Sequence, residues 1–253
     1  MTNAGRPPII ESYHRLQAAQ KSSKGAPLYS VLVNRRLGRA LAAVAHRLGL
    51  TPNTVSVISA AFTYSGIVLL FVAEPTLAVS LVVCGLLVIG YALDAADGQL
   101  ARLRGGGTLS GEWLDHVVDS GKIASLHLGV LVMIHNWYGV PEVWLAVPIV
   151  FTVVTVVHFF GMLLTELLIR PLTRQGSAEP ERGASKIVAA LKLPTDYGVL
   201  CLAFATAHFP SVFLWIYLLL AVGSTGYTLL VLPVWYRRVR RFDTGAQKSE
   251  QAG

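Results

Sequence analysis

The chain has 253 residues, of which 53% are hydrophobic and only 14% charged, with a mean hydropathy of +0.56. Soluble domains carry roughly a quarter charged residues, so this composition argues for a membrane protein and against a soluble globular domain. A formal net charge of +7 would suggest nucleic acid in a soluble chain, but Lys and Arg also collect on the cytoplasmic side of membrane proteins, so their positions must decide.

Residues 1–26 read as a polar N-terminal tail without a signal-peptide core. From Pro27 to about residue 49 the sequence predicts an amphipathic helix, with Pro27 suited to its first turn. Leu37, Leu41, Val44 and Leu48 form one stripe of it, while Arg35, Arg36, Arg39 and Arg47 take other faces. A helix packed on a soluble core would show the same pattern. A long apolar run follows at once, which favours a helix lying in the headgroup plane. Thr51 and Pro52 then supply an N-cap and a first turn for that run.

Six apolar runs predict membrane spans, at about Val55–Ala73, Leu77–Leu93, Leu114–Ile134, Val143–Ile169, Tyr197–Phe209 and Val212–Trp235. The fifth is short unless it borrows residues from Leu193 onward, and Pro194 and Asp196 interrupt that start. Charge gives an independent check. The 21 Lys and Arg fall up to Arg47, at Arg102, Arg104 and Lys122, from Arg170 to Lys192, and from Arg237 to Lys248. The loops Glu74–Thr76, His135–Glu142 and His208–Ser211 contain none. With six spans every basic segment falls on one side, which the positive-inside rule makes the cytoplasm, and both termini lie there. Topology and anionic headgroups then account for the charge without nucleic acid.

Trp137, Tyr138 and Trp144 flank a bare loop as an interfacial aromatic belt would. Cys84 and Cys201 stand alone in apolar runs and read as small buried hydrophobes. His127 and His158 lie inside spans, where hydrogen-bonded packing is the expected role. The expected architecture is an all-α integral membrane protein: an interfacial helix and six transmembrane helices form one domain over residues 27–236, followed by a basic cytoplasmic tail at 237–253. The absent targeting signal, with frequent Ala, Gly and Arg, fits a bacterial inner membrane.

Four carboxylates stand out against this apolar background. Asp94 and Asp97 close the second run, and Asp115 and Asp119 open the third. Spacings of three and four put each pair on one helix face, and Gly105, Gly106 and Gly107 between them can turn the chain back. Four clustered anions repel one another, whereas bound divalent cations such as Mg²⁺ offset both that repulsion and the cost of burial. Two such ions can clamp a diphosphate. Gly98, Ala101 and Gly111 leave room for a ligand beside the backbone, and Arg102 is placed to meet phosphate.

These residues, Asp94-x-x-Asp97-Gly98-x-x-Ala101-Arg102, then eight residues, Gly111-x-x-x-Asp115-x-x-x-Asp119, resemble the full signature of the CDP-alcohol phosphotransferase family. All eight fixed positions match, a coincidence on the order of one in 10⁷. The resemblance implies an enzyme that transfers a phosphatidyl or other substituted phosphoryl group from a CDP-alcohol, often CDP-diacylglycerol, to an acceptor hydroxyl, releasing CMP in phospholipid synthesis. It implies that Asp94, Asp97, Asp115 and Asp119 hold two Mg²⁺ or Mn²⁺ ions and that Asp119 is the base for the acceptor proton. It implies that Asp94, Gly98, Ala101, Arg102, Gly111 and Asp115 contact the CDP moiety, and that the protein forms a homodimer.

A polyol or polyol phosphate is the first expected acceptor, and transfer of a small CDP-linked headgroup to a lipid or sugar-phosphate alcohol is the alternative. Many relatives that make phosphatidyl lipids carry a Lys-Ala-Arg-like stretch after the fourth span, whereas this chain reads LLTELLIRPLTRQ. Arg170, Arg174, Arg182 and Lys186 could form an anion-binding rim there, or Arg170 could pair with Glu166 as a structural element. Lys122, one turn beyond Asp119, could neutralise the cluster or touch an acceptor phosphate. A divalent-cation transporter is the reading from another class, but such a protein would spread its acids along a route near mid-bilayer.

Overall fold

The structure, a computed structural model, describes residues 9–18, 29–174 and 193–250, with backbone alone at 172–174 and 243–250. Among the described residues it is all helical: α1 (Ile9–Ala18), α2 (Arg35–Leu48), α3 (Pro52–Val72), α4 (Leu77–Leu103), α5 (Leu109–Met133), α6 (Ala146–Arg174), α7 (Tyr197–Ala203) and α8 (Pro210–Glu250). Side-chain oxygens supply the free N–H groups at the helix starts with acceptors. Thr51 accepts from Thr54 N–H at 3.1 Å with Pro52 in the first turn, Thr76 from Val79 at 3.3 Å, and Thr108 from Gly111 at 3.1 Å.

Five helical stretches are long and apolar enough to cross a membrane: Pro52–Val72, Leu77–Leu103, Leu109–Tyr138, Glu142–Pro171 and Pro210–Phe242. The fifth expected span takes another form. Its apolar helix, Tyr197–Thr206, is ten residues, about 15 Å, against a hydrocarbon core of about 30 Å. The reason is local: a 3₁₀ turn at Leu193–Thr195 and the Asp196 cap delay the start, and Phe204–Thr206 tightens the end. Trp144, just before α6, meets Trp215 and His158 meets Thr228, so α6 and α8 run parallel. Gly198, Leu200, Cys201, Ala203 and Phe204 of the short segment are buried, whereas Leu202 is exposed.

The amphipathic helix is present as a wider helical turn, Ser30–Asn34, leading into α2; the expected start at Pro27 lies outside the described residues. Leu37, Val44 and Leu48 are exposed, whereas Gly38, Ala42, Ala43 and Ala45 are buried. The small face packs on α4, where a Cβ on Gly38 would come within 2.9 Å of Ala95 Cβ, and the apolar stripe is left for lipid. Residues 9–18, assigned to the polar tail from sequence, form a helix that packs on α2. It buries Leu16 and places Tyr13 under the Arg39 guanidinium at 5.1 Å. The basic segment from Arg237 continues α8 as helix.

Asp196 ties these parts together. One carboxylate oxygen accepts from Gly198 N–H at 3.1 Å, capping α7, and the other from Tyr29 N–H at 2.9 Å and Ser30 N–H at 3.4 Å. Tyr29 lies against Gly198, where a Cβ would sit 1.9 Å from its ring, and it stacks on Tyr91 at 6.3 Å. Burial raises the Tyr29 phenol above its ordinary pKa, with a smaller contribution from the nearby Asp196 charge, so it stays neutral.

Within the bundle α3 packs on both α4 and α5. Ser59 Oγ donates to Gly90 O at 2.8 Å and Tyr64 Oη to Val118 O at 3.1 Å, pinning the two crossings. His127 behaves as expected, with Nδ1 2.6 Å from Tyr217 Oη in an aromatic core with Phe151 and Phe213. Tyr138 departs from the belt reading: it is buried and donates to Ala207 O at 2.6 Å.

Candidate metal centre and donor site

The signature occupies α4, a tight turn and the start of α5. α4 runs through Leu103, nine residues beyond Asp94, so the aspartates lie inside the helix rather than at its end. The reversal uses Gly105 at φ +95° and Gly106 at φ +131°, conformations that cost a side-chain-bearing residue dearly, and Gly106 N–H returns to Ala101 O at 2.9 Å. Because α3 packs against both helices, α4 and α5 face each other across a gap into which the acids project.

Asp94, Asp115 and Asp119 each bring one carboxylate oxygen to within 4.8 Å of the others. Three hard anionic oxygens in that space fit a divalent cation. Lys122, one turn deeper on α5, donates to Asp94 Oδ1 at 2.7 Å and Asp119 Oδ1 at 2.9 Å. Its side chain is 7% exposed, against 24% and 27% for the two aspartates. The lysine is therefore a countercharge beneath the cluster, and the carboxylates remain reachable from the open side.

Asp97 is held apart from these three. It is buried, and its Oδ2 accepts from Ser56 Oγ at 2.5 Å. Gly98, Ala101, Arg102 and Gly111 are half-buried around the same gap. The Arg102 guanidinium lies 3.6 Å from where a Gly98 Cβ would stand, and Asn53 Oδ1 2.8 Å from that of Gly111. The sequence reading takes only Thr51 and Pro52 from this helix start and does not name Asn53 or Ser56. Their spacing of three on an otherwise apolar helix is the signal that could have found them.

The acceptor rim is less complete. Arg170 pairs with Glu166 at 3.1 Å, as one reading of the sequence expects, and also with Glu112 across to α5. Arg182 and Lys186 lie outside the described residues, as does the Arg174 side chain. Beyond Asp94, Asp119 and Lys122 a cavity of about 650 Å³ extends between α5, α6 and α8.

Among the described residues, five apolar helices of membrane-spanning length thus surround a carboxylate cluster that could hold a divalent cation beside a tight turn. The sequence matches the family model described as CDP-alcohol phosphatidyltransferase over residues 49–234, more than half of the chain. The protein belongs to the CDP-alcohol phosphatidyltransferase family and is a transferase of phosphate-containing groups. No curated protein gives a significant match. Among solved structures the chain is similar to the phosphatidylinositol phosphate synthase (PgsA1) of Mycobacterium tuberculosis. With CDP-DAG bound, that protein is 21% identical with a TM-score of 0.52, over 81% of this chain and 94% of that one. In complex with manganese and citrate the values are 20%, 0.50, 78% and 87%, and in apo form 22%, 0.52, 79% and 94%. These likenesses establish the shared fold.

Proposed function

We propose that this protein transfers a phosphatidyl group from CDP-diacylglycerol to the hydroxyl of an alcohol, releasing CMP, at the cytoplasmic face of a bacterial inner membrane. The observation that carries the proposal is the convergence of Asp94, Asp115 and Asp119 within 4.8 Å inside the family's signature. A protein of the same fold binds manganese in one structure and CDP-DAG in another, which supports the metal and the donor.

Asp94, Asp97, Asp115 and Asp119 would hold two divalent cations, Mg²⁺ or Mn²⁺, with Ser56 orienting Asp97. Such ions neutralise the diphosphate and the charge that develops on departing CMP. Gly98, Ala101 and Gly111 let the donor approach the α4 and α5 backbones, and Arg102 meets its phosphate. Asp119 takes the proton of the acceptor hydroxyl as that oxygen bonds to the β-phosphorus and the bond to the CMP oxygen breaks. Lys122 holds Asp119 and Asp94 in position.

The purified protein in phospholipid vesicles, given CDP-diacylglycerol, Mg²⁺ and a mixture of alcohols, is expected to release CMP and one phosphatidyl alcohol in equal amounts, identified by mass spectrometry. CMP release only from water-soluble CDP-alcohols would assign the donor otherwise and overturn the proposal.

A further inference from the structure

We infer that Tyr197 holds the acceptor through a second oxygen beside the reacting hydroxyl, and that Asp196 is the positioning residue that sets Tyr197 in place. The inference rests on the phosphatidyl-transfer reading and adds residues that select its acceptor. Thr63, Tyr91 and Tyr197 line the cavity of about 650 Å³ together with Asp94 and Asp119. Two of them carry buried hydroxyl oxygens, Thr63 Oγ1 and Tyr197 Oη, that have no hydrogen-bond partner among the described residues. Leaving a buried hydroxyl without a partner is costly, and a polar ligand in the cavity would remove that cost. Elsewhere in the lining the hydroxyls are satisfied by backbone: Thr155 Oγ1 donates to Phe151 O at 2.8 Å and Ser224 Oγ to Pro194 O at 2.8 Å.

Both unpartnered hydroxyls belong to the reacting end of the cavity. Thr63 Oγ1 takes the space that a Cβ on Gly90 would need, and the Tyr197 ring meets Tyr91 edge-on with centroids 5.2 Å apart. Gly90 and Tyr91 precede Asp94 on α4 by about one helical turn, a rise of about 5 Å. An alcohol whose reacting hydroxyl stands at Asp119 therefore has its neighbouring carbons beside this corner.

Asp196, next in the chain, decides where Tyr197 stands. A single hydroxyl caps the helices that start after Thr51, Thr76 and Thr108. Asp196 is buried and uses both carboxylate oxygens, one on Gly198 N–H at 3.1 Å and the other on Tyr29 N–H at 2.9 Å and Ser30 N–H at 3.4 Å. Its own turn is seated on α8, where Ser224 bonds Pro194 and a Cβ on Gly223 would come within 2.6 Å of the proline ring. Tyr197 is thus anchored from α8 on one side and from the segment ahead of α2 on the other. An amide at 196 could accept on one side only, because its NH₂ would face an N–H on the other.

The test uses the full chain in vesicles with CDP-diacylglycerol and Mn²⁺, and acceptor pairs that differ by one hydroxyl: glycerol against propane-1,3-diol, and glycerol phosphate against 3-hydroxypropyl phosphate. In at least one pair the parent protein is expected to prefer the compound with the extra hydroxyl by about tenfold or more in kcat/KM. Tyr197→Phe is expected to bring that preference within about threefold and to leave the KM for CDP-diacylglycerol unchanged. Asp196→Asn is expected to weaken the preference likewise, and to weaken it no further in the Tyr197→Phe background, a coupling that general destabilisation does not produce. Should Asp196→Asn fail to fold, Asp196→Ser, which keeps a cap for Gly198 alone, carries the same expectation. A preference untouched by Tyr197→Phe gives the second oxygen to the metal ions and overturns the inference. Independent, additive losses in the double variant overturn the positioning role of Asp196. A parent protein without the preference, or one that releases CMP with hexadecanol alone, overturns the inference and leaves phosphatidyl transfer standing. No CMP with any acceptor sinks the phosphatidyl-transfer reading and this inference together.

Discussion

Asp119→Asn is expected to lower CMP release by about 10³-fold at saturating donor and metal, the middle of the range for loss of a positioned base. The substitution keeps the size of the side chain and an oxygen for Lys122, whose bond to Asp94 at 2.7 Å is untouched, so the fold should survive. It removes the one property an amide cannot supply, a basic oxygen at the cavity for the proposed acceptor hydroxyl. One of the three anionic oxygens within 4.8 Å is lost as well, so weaker metal binding adds to the deficit unless the ions are saturating. The check is the rate of CMP release over a range of Mn²⁺ concentrations, with thermal unfolding as a control for folding. Turnover within threefold of the parent protein at saturating Mn²⁺ would remove Asp119 from the role of base.

Lys122→Met is expected to separate the metal-free from the metal-loaded protein. In the metal-free state it strips the countercharge from Asp94 and Asp119, which then repel each other beside an apolar cavity. Breaking a fully buried pair costs about 3–5 kcal/mol, but both aspartates are about a quarter exposed, so solvent screens part of that. A loss of about 2 kcal/mol follows, read as a fall of about 5 °C in Tm. Divalent cations supply the missing charge, so adding Mn²⁺ should raise the Tm of Lys122→Met further than that of the parent. Identical melting of the two proteins under chelation would show that the lysine is not the countercharge of the cluster.

Much of the site is legible before any coordinates because its geometry is local. Helical periodicity alone puts Asp94 beside Asp97 and Asp115 beside Asp119, and a run of glycines marks the reversal between them. What periodicity cannot show is the partner of each acid across the bundle. Ser56 lies 41 residues from Asp97 and Lys122 lies 28 from Asp94, and those contacts decide that three acids converge while the fourth is held aside. Hydropathy alone overreads Tyr197–Phe209 as a full span: the apolar helix there is only Tyr197–Thr206, because the turn at Leu193–Thr195 and the Asp196 cap delay its start. It failed in the opposite sense at residues 9–18, where a mean composition near neutrality hid a helix anchored by Leu16 against α2. The cavity is invisible in sequence because α5, α6 and α8 each contribute only part of its wall. The basic segment from Arg174 to Lys192 falls largely outside the described residues, so its expected anion rim stays a proposal.

The most direct test of a divalent-cation site in this cluster is the rate of CMP release from CDP-diacylglycerol by the same vesicle preparation before chelation, after EDTA, and after readdition of Mg²⁺ or Mn²⁺. Release is expected to fall to background in EDTA and return with either ion, as oxygen ligands from Asp94, Asp115 and Asp119 require. Release at an undiminished rate in EDTA would contradict it.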